Sequence, residues 1–117
     1  MANSVVWFEI TGRDGAGLRS FYGELFGWEY QEVPGADYGM VTAAQPGIPG
    51  GVGTADNGPA GLRFYIEVPD HEAVLAQVAR LGGRAVLPPT RLAGGTTISL
   101  FADPEGNVVG LSRSDPR

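Results

Sequence analysis

The sequence has no cysteine and only one histidine among its 117 residues. Without thiols the chain can form neither disulfides nor a thiolate metal site, and it has no cysteine nucleophile. A single histidine also excludes a metal site built from several histidines of one chain. That histidine, His71, follows a predicted helix cap at Asp70, where we expect it to be solvated. These absences exclude thiolate and multi-histidine metal sites within one chain and catalysis by a cysteine nucleophile.

Long apolar runs and excess positive charge are lacking as well. No run approaches the ~20 residues of a membrane helix, and residues 1–10 lack the basic and then apolar pattern of a secretory signal. The formal net charge of −5 argues against nucleic acid or an anionic membrane as a partner and mildly favours a cationic or neutral ligand. Phosphate-binding glycine loops and the G-x-S-x-G motif of serine hydrolases are also absent. We therefore expect a soluble, cytoplasmic protein whose partner is a small molecule.

The order of predicted elements repeats once along the chain. Alternating and helical apolar patterns predict two copies of a β-α-β-β-β unit. Shifting the chain by 56 residues places Phe8 on Phe64 and Asp14, a predicted helix cap, on Asp70. The predicted strands are residues 4–11, 28–33, 38–44 and 52–54 in the first copy, and 62–68, 84–87, 96–101 and 108–112 in the second. Pro88 and Pro89 are expected to end the strand that precedes them. Residues 45–51 are predicted as a loop, and the stretch 46–53 is either a lid or a bent strand.

Two motifs carry a resemblance to a known family. The first is F-Y-x-x-x-F-G-W, from Phe21 to Trp28, and the second is D-P-x-G-N, from Asp103 to Asn107. With them the chain resembles the vicinal oxygen chelate superfamily, which includes glyoxalases, bleomycin resistance proteins and extradiol dioxygenases. Its start and end are most similar to actinobacterial glyoxalase-like proteins related to a mycobacterial antigen.

The resemblance implies an α+β fold. Two βαβββ modules would each form a curved mixed sheet, and together they would form a cup with the helices outside. The expected organisation is a single domain over residues 1–117, with module one at about 4–54, a linker at 55–61 and module two at about 62–113. The resemblance also implies a homodimer.

The resemblance further implies where a metal would bind. Metal-dependent members place His, Gln or Glu on the first and last strands of each module, because a divalent metal needs such donors. These positions fall on Trp7, Arg63 and Gly110, and near Thr54. None of these residues supplies an ordinary ligand set, and an arginine would repel a cation. We therefore expect no metal and no cofactor.

Strand alternation predicts which other side chains share the face of those positions. The opposite face is apolar, as a surface under helices should be. The candidate ligand-binding residues on the cup face are Trp7, Glu9, Arg63, Tyr65, Glu67 and Gly110. A mixed aromatic and charged lining is typical of a small-molecule pocket. Two structural interpretations stay open: Trp7 as core packing, and Arg63 as the ion-pair partner of Glu9 or Glu67.

Three functions remain in competition. The first is a metal-independent small-molecule-binding protein, which the missing ligands favour. The second is a lyase, isomerase or glyoxalase-type enzyme, working through Glu9, Glu67 and Arg63 or through a metal at a non-standard place. The third is a non-catalytic interaction module. Fold alone does not decide among them.

Overall fold

Two helices and eight strands make up the described part of the chain. The structure is a computed structural model that describes residues 2–42, 47–56 and 58–114. In chain order the elements are β1 (Val5–Gly12), α1 (Gly15–Phe26), β2 (Tyr30–Glu32), β3 (Tyr38–Val41), β4 (Gly50–Thr54), β5 (Gly61–Glu67), α2 (His71–Arg80), β6 (Arg84–Arg91), β7 (Thr96–Ala102) and β8 (Val108–Ser114). The predicted end of the third strand and start of the following loop, at residues 43–46, lie outside the described residues. From Gly50 onward the stretch considered as a lid is strand β4.

The chain divides into two compact units, and the first spans Trp7–Leu62. Its strand order is β2-β3-β4-β1, with β1 parallel to β4 and the other neighbours antiparallel. Helix α1 packs on β3 and β4. The ring of Phe8 lies 5.5 Å from that of Trp28, which in turn stacks at 5.6 Å on Tyr22 of α1. Val52 is fully buried in the core of this unit.

The second unit consists of residues 2–6 and 63–114 of the described chain. Its strand order is β5-β8-β7-β6, with β5 parallel to β8 and the other neighbours antiparallel. Helix α2 packs on β6 and β7, and Leu100 and Leu111 are fully buried. The same order of elements therefore occurs in both units, which confirms the predicted repeat. The module limits and the single domain expected from the sequence stay predictions.

Both helices begin at the predicted caps. The Asp14 side chain accepts a hydrogen bond from the Gly17 amide at 2.9 Å, and Asp70 accepts one from the Ala73 amide at 3.1 Å. These bonds satisfy amides that have no partner inside the helix. Helix α1 ends at Gly27, whose φ of 72° is left-handed and suits glycine. Neither helix of the described chain has the length and apolar character needed to cross a membrane.

Strand β6 differs from the prediction. It continues through Pro88 and Pro89 to Arg91, so the expected end at Leu87 is wrong. The strand lies at the edge of its sheet, where a residue without an amide proton breaks no ladder bond on the open side. The pairing with β7 also shifts register between Leu87 and Thr90, which accommodates the two prolines.

Part of the apolar surface expected under the helices is exposed. Leu62 and Phe64 of β5 are 74% and 43% exposed, because α2 packs on β6 and β7 and leaves these two side chains uncovered. On α1, Phe21 and Leu25 are each 58% exposed, and Phe26 is 61% exposed. The expectation that helices cover the apolar face of β5 is therefore wrong for Leu62 and Phe64.

Candidate ligand-binding site

Trp7 and Glu9 lie on the face of β1 that points away from α1. Side chains alternate along a strand, and Phe8, between them, packs against Trp28 on the helix side. The Trp7 indole nitrogen, Nε1, donates a hydrogen bond to the Tyr38 hydroxyl at 3.0 Å. Trp7, Glu9 and Tyr38 are each partly exposed. A tyrosine of β3 thus fixes Trp7, and both residues stay partly exposed.

The Tyr38 ring covers the glycines of β4. A Cβ added to Gly51 would overlap the hydroxyl end of this ring, and a Cβ added to Gly53 would lie 2.7 Å from Tyr38 Cδ1. The long axis of the ring therefore runs along β4 from one glycine to the other. Glycine in a strand commonly marks such a close approach. The sequence pattern does not single out Tyr38, although the two glycines were the signal that could have indicated it.

In the second unit, Arg63 and Tyr65 are buried on one face of β5. Arg63 is 7% exposed and Tyr65 is 5% exposed. Tyr65 is paired with Gly110 across the parallel β5–β8 ladder, and a Cβ at Gly110 would overlap the Tyr65 ring. Glu67, on the same face by alternation, is exposed and is paired with Ser112. The structure thus places these four predicted residues on one face of β5 and β8 in the second unit, and Trp7 and Glu9 on one face of β1.

The residues that the family resemblance assigns to a metal site do not fit a metal. The space for a side chain at Gly110 is taken by the Tyr65 ring, and Arg63 brings a positive charge. Within residues 2–42, 47–56 and 58–114, no three His, Asp or Glu side chains come together as a metal site would need. No chemical step can therefore be assigned to a metal held by Trp7, Arg63 and Gly110.

The first-unit counterpart of Gly110 is Gly51. Tyr65 is paired with Gly110, and its repeat equivalent Glu9 is paired with Gly51. The prediction near Thr54 is wrong, because the segments between the strands differ in length and the offset grows from 56 to 59 residues. Thr54 instead has a structural role. Its hydroxyl donates to Asp37 at 2.6 Å and accepts from the Gly15 amide at 3.0 Å.

His71 is buried, contrary to the expectation that it is solvated. It is 5% exposed, and its Nδ1 lies 2.6 Å from the Ser99 hydroxyl on β7. Burial lowers the pKa of His71, and the nearby Arg113 guanidinium lowers it further. The contact joins residues 28 positions apart, so no local sequence pattern could have predicted it. The pair lies between α2 and the sheet, on the opposite face from Tyr65.

Comparison with known proteins identifies the family. A model described as "Glyoxalase-like domain" matches residues 7–112. The "Putative glyoxylase CFP32" of Mycobacterium bovis is 29% identical over 113 residues, which are 90% of this chain and 43% of that protein. The "Anthracycline biosynthesis protein DnrV" of Streptomyces peucetius is 30% identical over 126 residues, covering 92% of this chain and 46% of that protein. The chain thus spans less than half the length of these two relatives.

Solved structures share the fold at low sequence identity. A variant of the Streptomyces coelicolor methylmalonyl-CoA epimerase, in complex with 2-nitronate-propionyl-CoA, has a TM-score of 0.68 at 18% identity, with 99% of this chain and 100% of that chain covered. A glyoxalase/bleomycin resistance protein/dioxygenase superfamily member from Vibrio splendidus 12B01 has a TM-score of 0.64 at 20% identity, with 97% and 100% covered. The chain therefore belongs to the glyoxalase-like domain family and has the α+β fold of the glyoxalase/bleomycin resistance protein/dioxygenase superfamily.

Proposed function

We propose that this glyoxalase/bleomycin-resistance-like protein binds a small molecule without a metal. The observation that carries the proposal is the Tyr65 ring over Gly110, the position to which the family resemblance assigns a metal-binding carboxylate. Arg63, at the other ligand position of the second unit, is buried. A buried guanidinium disfavours a neighbouring cation and favours an anionic or carbonyl oxygen.

The proposed ligand-binding residues are Trp7, Glu9, Arg63, Tyr65, Glu67 and Gly110. The aromatic rings offer flat apolar surface, and Arg63 offers N–H donors in a planar fork. The two glutamates offer hydrogen-bond acceptors. Gly110 has no side chain, which allows the Tyr65 ring to lie over β8. The relationship to a protein named for anthracycline biosynthesis supports including polycyclic aromatic compounds among the ligands to test.

The second candidate function is a lyase or isomerase of the same superfamily. The fold similarity to a methylmalonyl-CoA epimerase favours it. In that case Glu9 or Glu67 would transfer a proton, and Arg63 would hold a carbonyl or anionic oxygen of the substrate. The support is limited to the fold, because one fold hosts many activities.

Metal analysis separates the proposal from a metal enzyme. The protein is purified without chelator and its Zn, Fe, Mn and Ni contents are measured by mass spectrometry. We expect no metal in stoichiometric amount and no rise in melting temperature when these ions are added. One tightly bound metal ion per chain would contradict the proposal.

Ligand screening by thermal shift tests the binding function itself. Compounds that raise the melting temperature should do so equally with and without EDTA. Arg63→Met and Glu67→Gln should weaken their binding, whereas Glu32→Gln, an exposed change on β2, should not. Equal binding by all four proteins would show that the residues assigned to the site are the wrong ones.

We also propose that the chain forms a homodimer. The support is the exposed apolar surface of α1 formed by Phe21, Leu25 and Phe26, since an apolar patch of this kind is typical of an interaction surface. The cytoplasmic location expected from the sequence stays a prediction.

A further inference from the structure

We propose that the rings of Trp7 and Tyr38 form a stacking surface for a planar aromatic ligand. This inference rests on the proposed function and extends the site to Tyr38. We call the two rings the Trp7–Tyr38 platform. They are joined by the 3.0 Å hydrogen bond between Trp7 Nε1 and the Tyr38 hydroxyl.

The platform has a flat side because β4 lacks side chains beneath it. The Tyr38 ring rests on Gly51 at its hydroxyl end and on Gly53 at its other end. One face of the ring is therefore taken up by the backbone of β4. Tyr38 as a residue remains partly exposed, and the side of its ring away from the strand is the side left for a ligand. A flat aromatic ligand could stack on that side.

The backbone around Tyr38 is held from both sides. The Val33 amide donates to the Tyr38 carbonyl at 3.0 Å, and the Thr54 amide donates to the Asp37 carbonyl at 2.8 Å. With Trp7 holding the hydroxyl, the ring is fixed before any ligand arrives. A preorganised surface loses little conformational entropy on binding.

The side chains on the corresponding face of the second unit are buried, as core packing requires. Those of the platform are not fully buried, so core packing does not account for them as well. In the second unit, Tyr65 is 5% exposed, and Leu100, which is paired with Gly110 from the other side, is fully buried. In the first unit, Trp7 and Tyr38 are partly exposed, as is Met40 on the same face of β3. A ring that served only to fill a core would be buried like Tyr65. The difference in burial points to the first unit as the side that receives an aromatic ring.

Tryptophan fluorescence gives a direct test, because the chain has only two tryptophans. Trp28→Phe leaves Trp7 as the reporter, and Trp7→Phe leaves Trp28. The probe is the anthracycline daunomycin, with an aliphatic amine of equal charge as the non-planar control. We expect saturable quenching of Trp7, no comparable quenching of Trp28 and no effect of the aliphatic amine. The quenching of the probe's own fluorescence measures the dissociation constant independently.

Tyr38→Leu removes the aromatic ring and should weaken daunomycin binding about tenfold. Tyr30→Leu is the matched control, because this tyrosine belongs to the neighbouring strand and lies on the opposite face. It should leave the dissociation constant nearly unchanged. Circular dichroism and melting temperature check the folding of each variant.

In the unmutated protein, the indole N–H signal of Trp7 in NMR spectra should shift on binding, while that of Trp28 should not. This test does not depend on the folding of a variant.

Two outcomes overturn the platform. In the first, daunomycin binds without changing the fluorescence of Trp7, and Tyr38→Leu leaves its dissociation constant unchanged. In the second, daunomycin does not bind at all. Either result leaves the proposed function standing if other compounds in the thermal-shift screen bind without metal. A screen in which no small molecule binds overturns both.

Discussion

The aromatic ring of Tyr65 fills the space that a side chain at Gly110 would need. The two residues are ladder neighbours on β5 and β8, so the ring extends over the adjacent strand. The first unit achieves the same result differently, because the ring over Gly51 belongs to Tyr38 of β3. In both units a tyrosine ring therefore takes the place of a side chain on the last strand.

Gly110→Ala should destabilise the protein by about 1–3 kcal/mol, because the new methyl group overlaps a buried ring. Urea denaturation measures the change. In the Tyr65→Ala background the same substitution should cost much less, since the ring is gone. Gly94→Ala is the control, because nothing lies within 4 Å of a Cβ placed there. Equal costs of Gly110→Ala in both backgrounds would show that the ring is not the obstacle.

The buried His71 should make stability depend on pH. Because its pKa is lowered in the folded state from the ordinary value of 6.5, the unfolded chain binds the proton at higher pH. The free energy of unfolding should therefore be fully retained above about pH 6.5 and should fall as pH drops towards the folded-state pKa. The charged groups near the ring are Arg113, which opposes protonation, and Asp70 and Glu67, which favour it.

His71→Gln tests this dependence. Denaturation of both proteins between pH 5 and 8 should show a slope that is present in the unmutated chain and greatly reduced in the variant. A slope that survives the substitution would mean that another group titrates in this range.

The Asp37 carboxylate should protect the first unit against acid. The Thr54 hydroxyl and the Arg19 guanidinium donate hydrogen bonds to it and hold its pKa below the ordinary 3.8. This contribution is present above about pH 3.8 and is lost as pH falls through the folded-state pKa. Thr54→Val removes one donor, so the pKa of Asp37 should rise and acid unfolding should begin at higher pH. NMR titration measures the pKa of Asp37, and circular dichroism measures acid unfolding. Thr90→Val is the control, because the Thr90 hydroxyl donates to a backbone carbonyl and not to a carboxylate.

The exposed apolar surface of α1 should hold two copies together. Leu25→Arg places a charge on this surface and should shift the protein from dimer to monomer in light scattering at fixed concentration. Gln77→Arg, an exposed change on α2, should leave the mass unchanged. A monomeric unmutated protein would contradict the prediction at once.

The strands, caps and repeat could be predicted from sequence because they depend on local patterns. Asp14 and Asp70 act within one helical turn, and their predictions are confirmed. The position of Gly51 could not be obtained by shifting the chain, because loops of unequal length separate the strands and only the ladder register fixes the match. His71 was missed because its partner Ser99 comes from a distant strand. The exposure of Phe64 depends on where α2 packs, which the apolar pattern of β5 does not encode.

Three of the five residues of strand β4 are glycines, and this composition affects the order of folding. Glycine loses much backbone entropy when it becomes extended, so β4 has little tendency to form a strand alone. The rings of Phe8 and Tyr38 close over it from neighbouring strands. We therefore expect the β4 amides to become protected late in refolding, after those of β5 and β8, as pulse-labelled hydrogen exchange can measure. The strand that positions the ring of Tyr38 would then be among the last parts of the chain to become ordered.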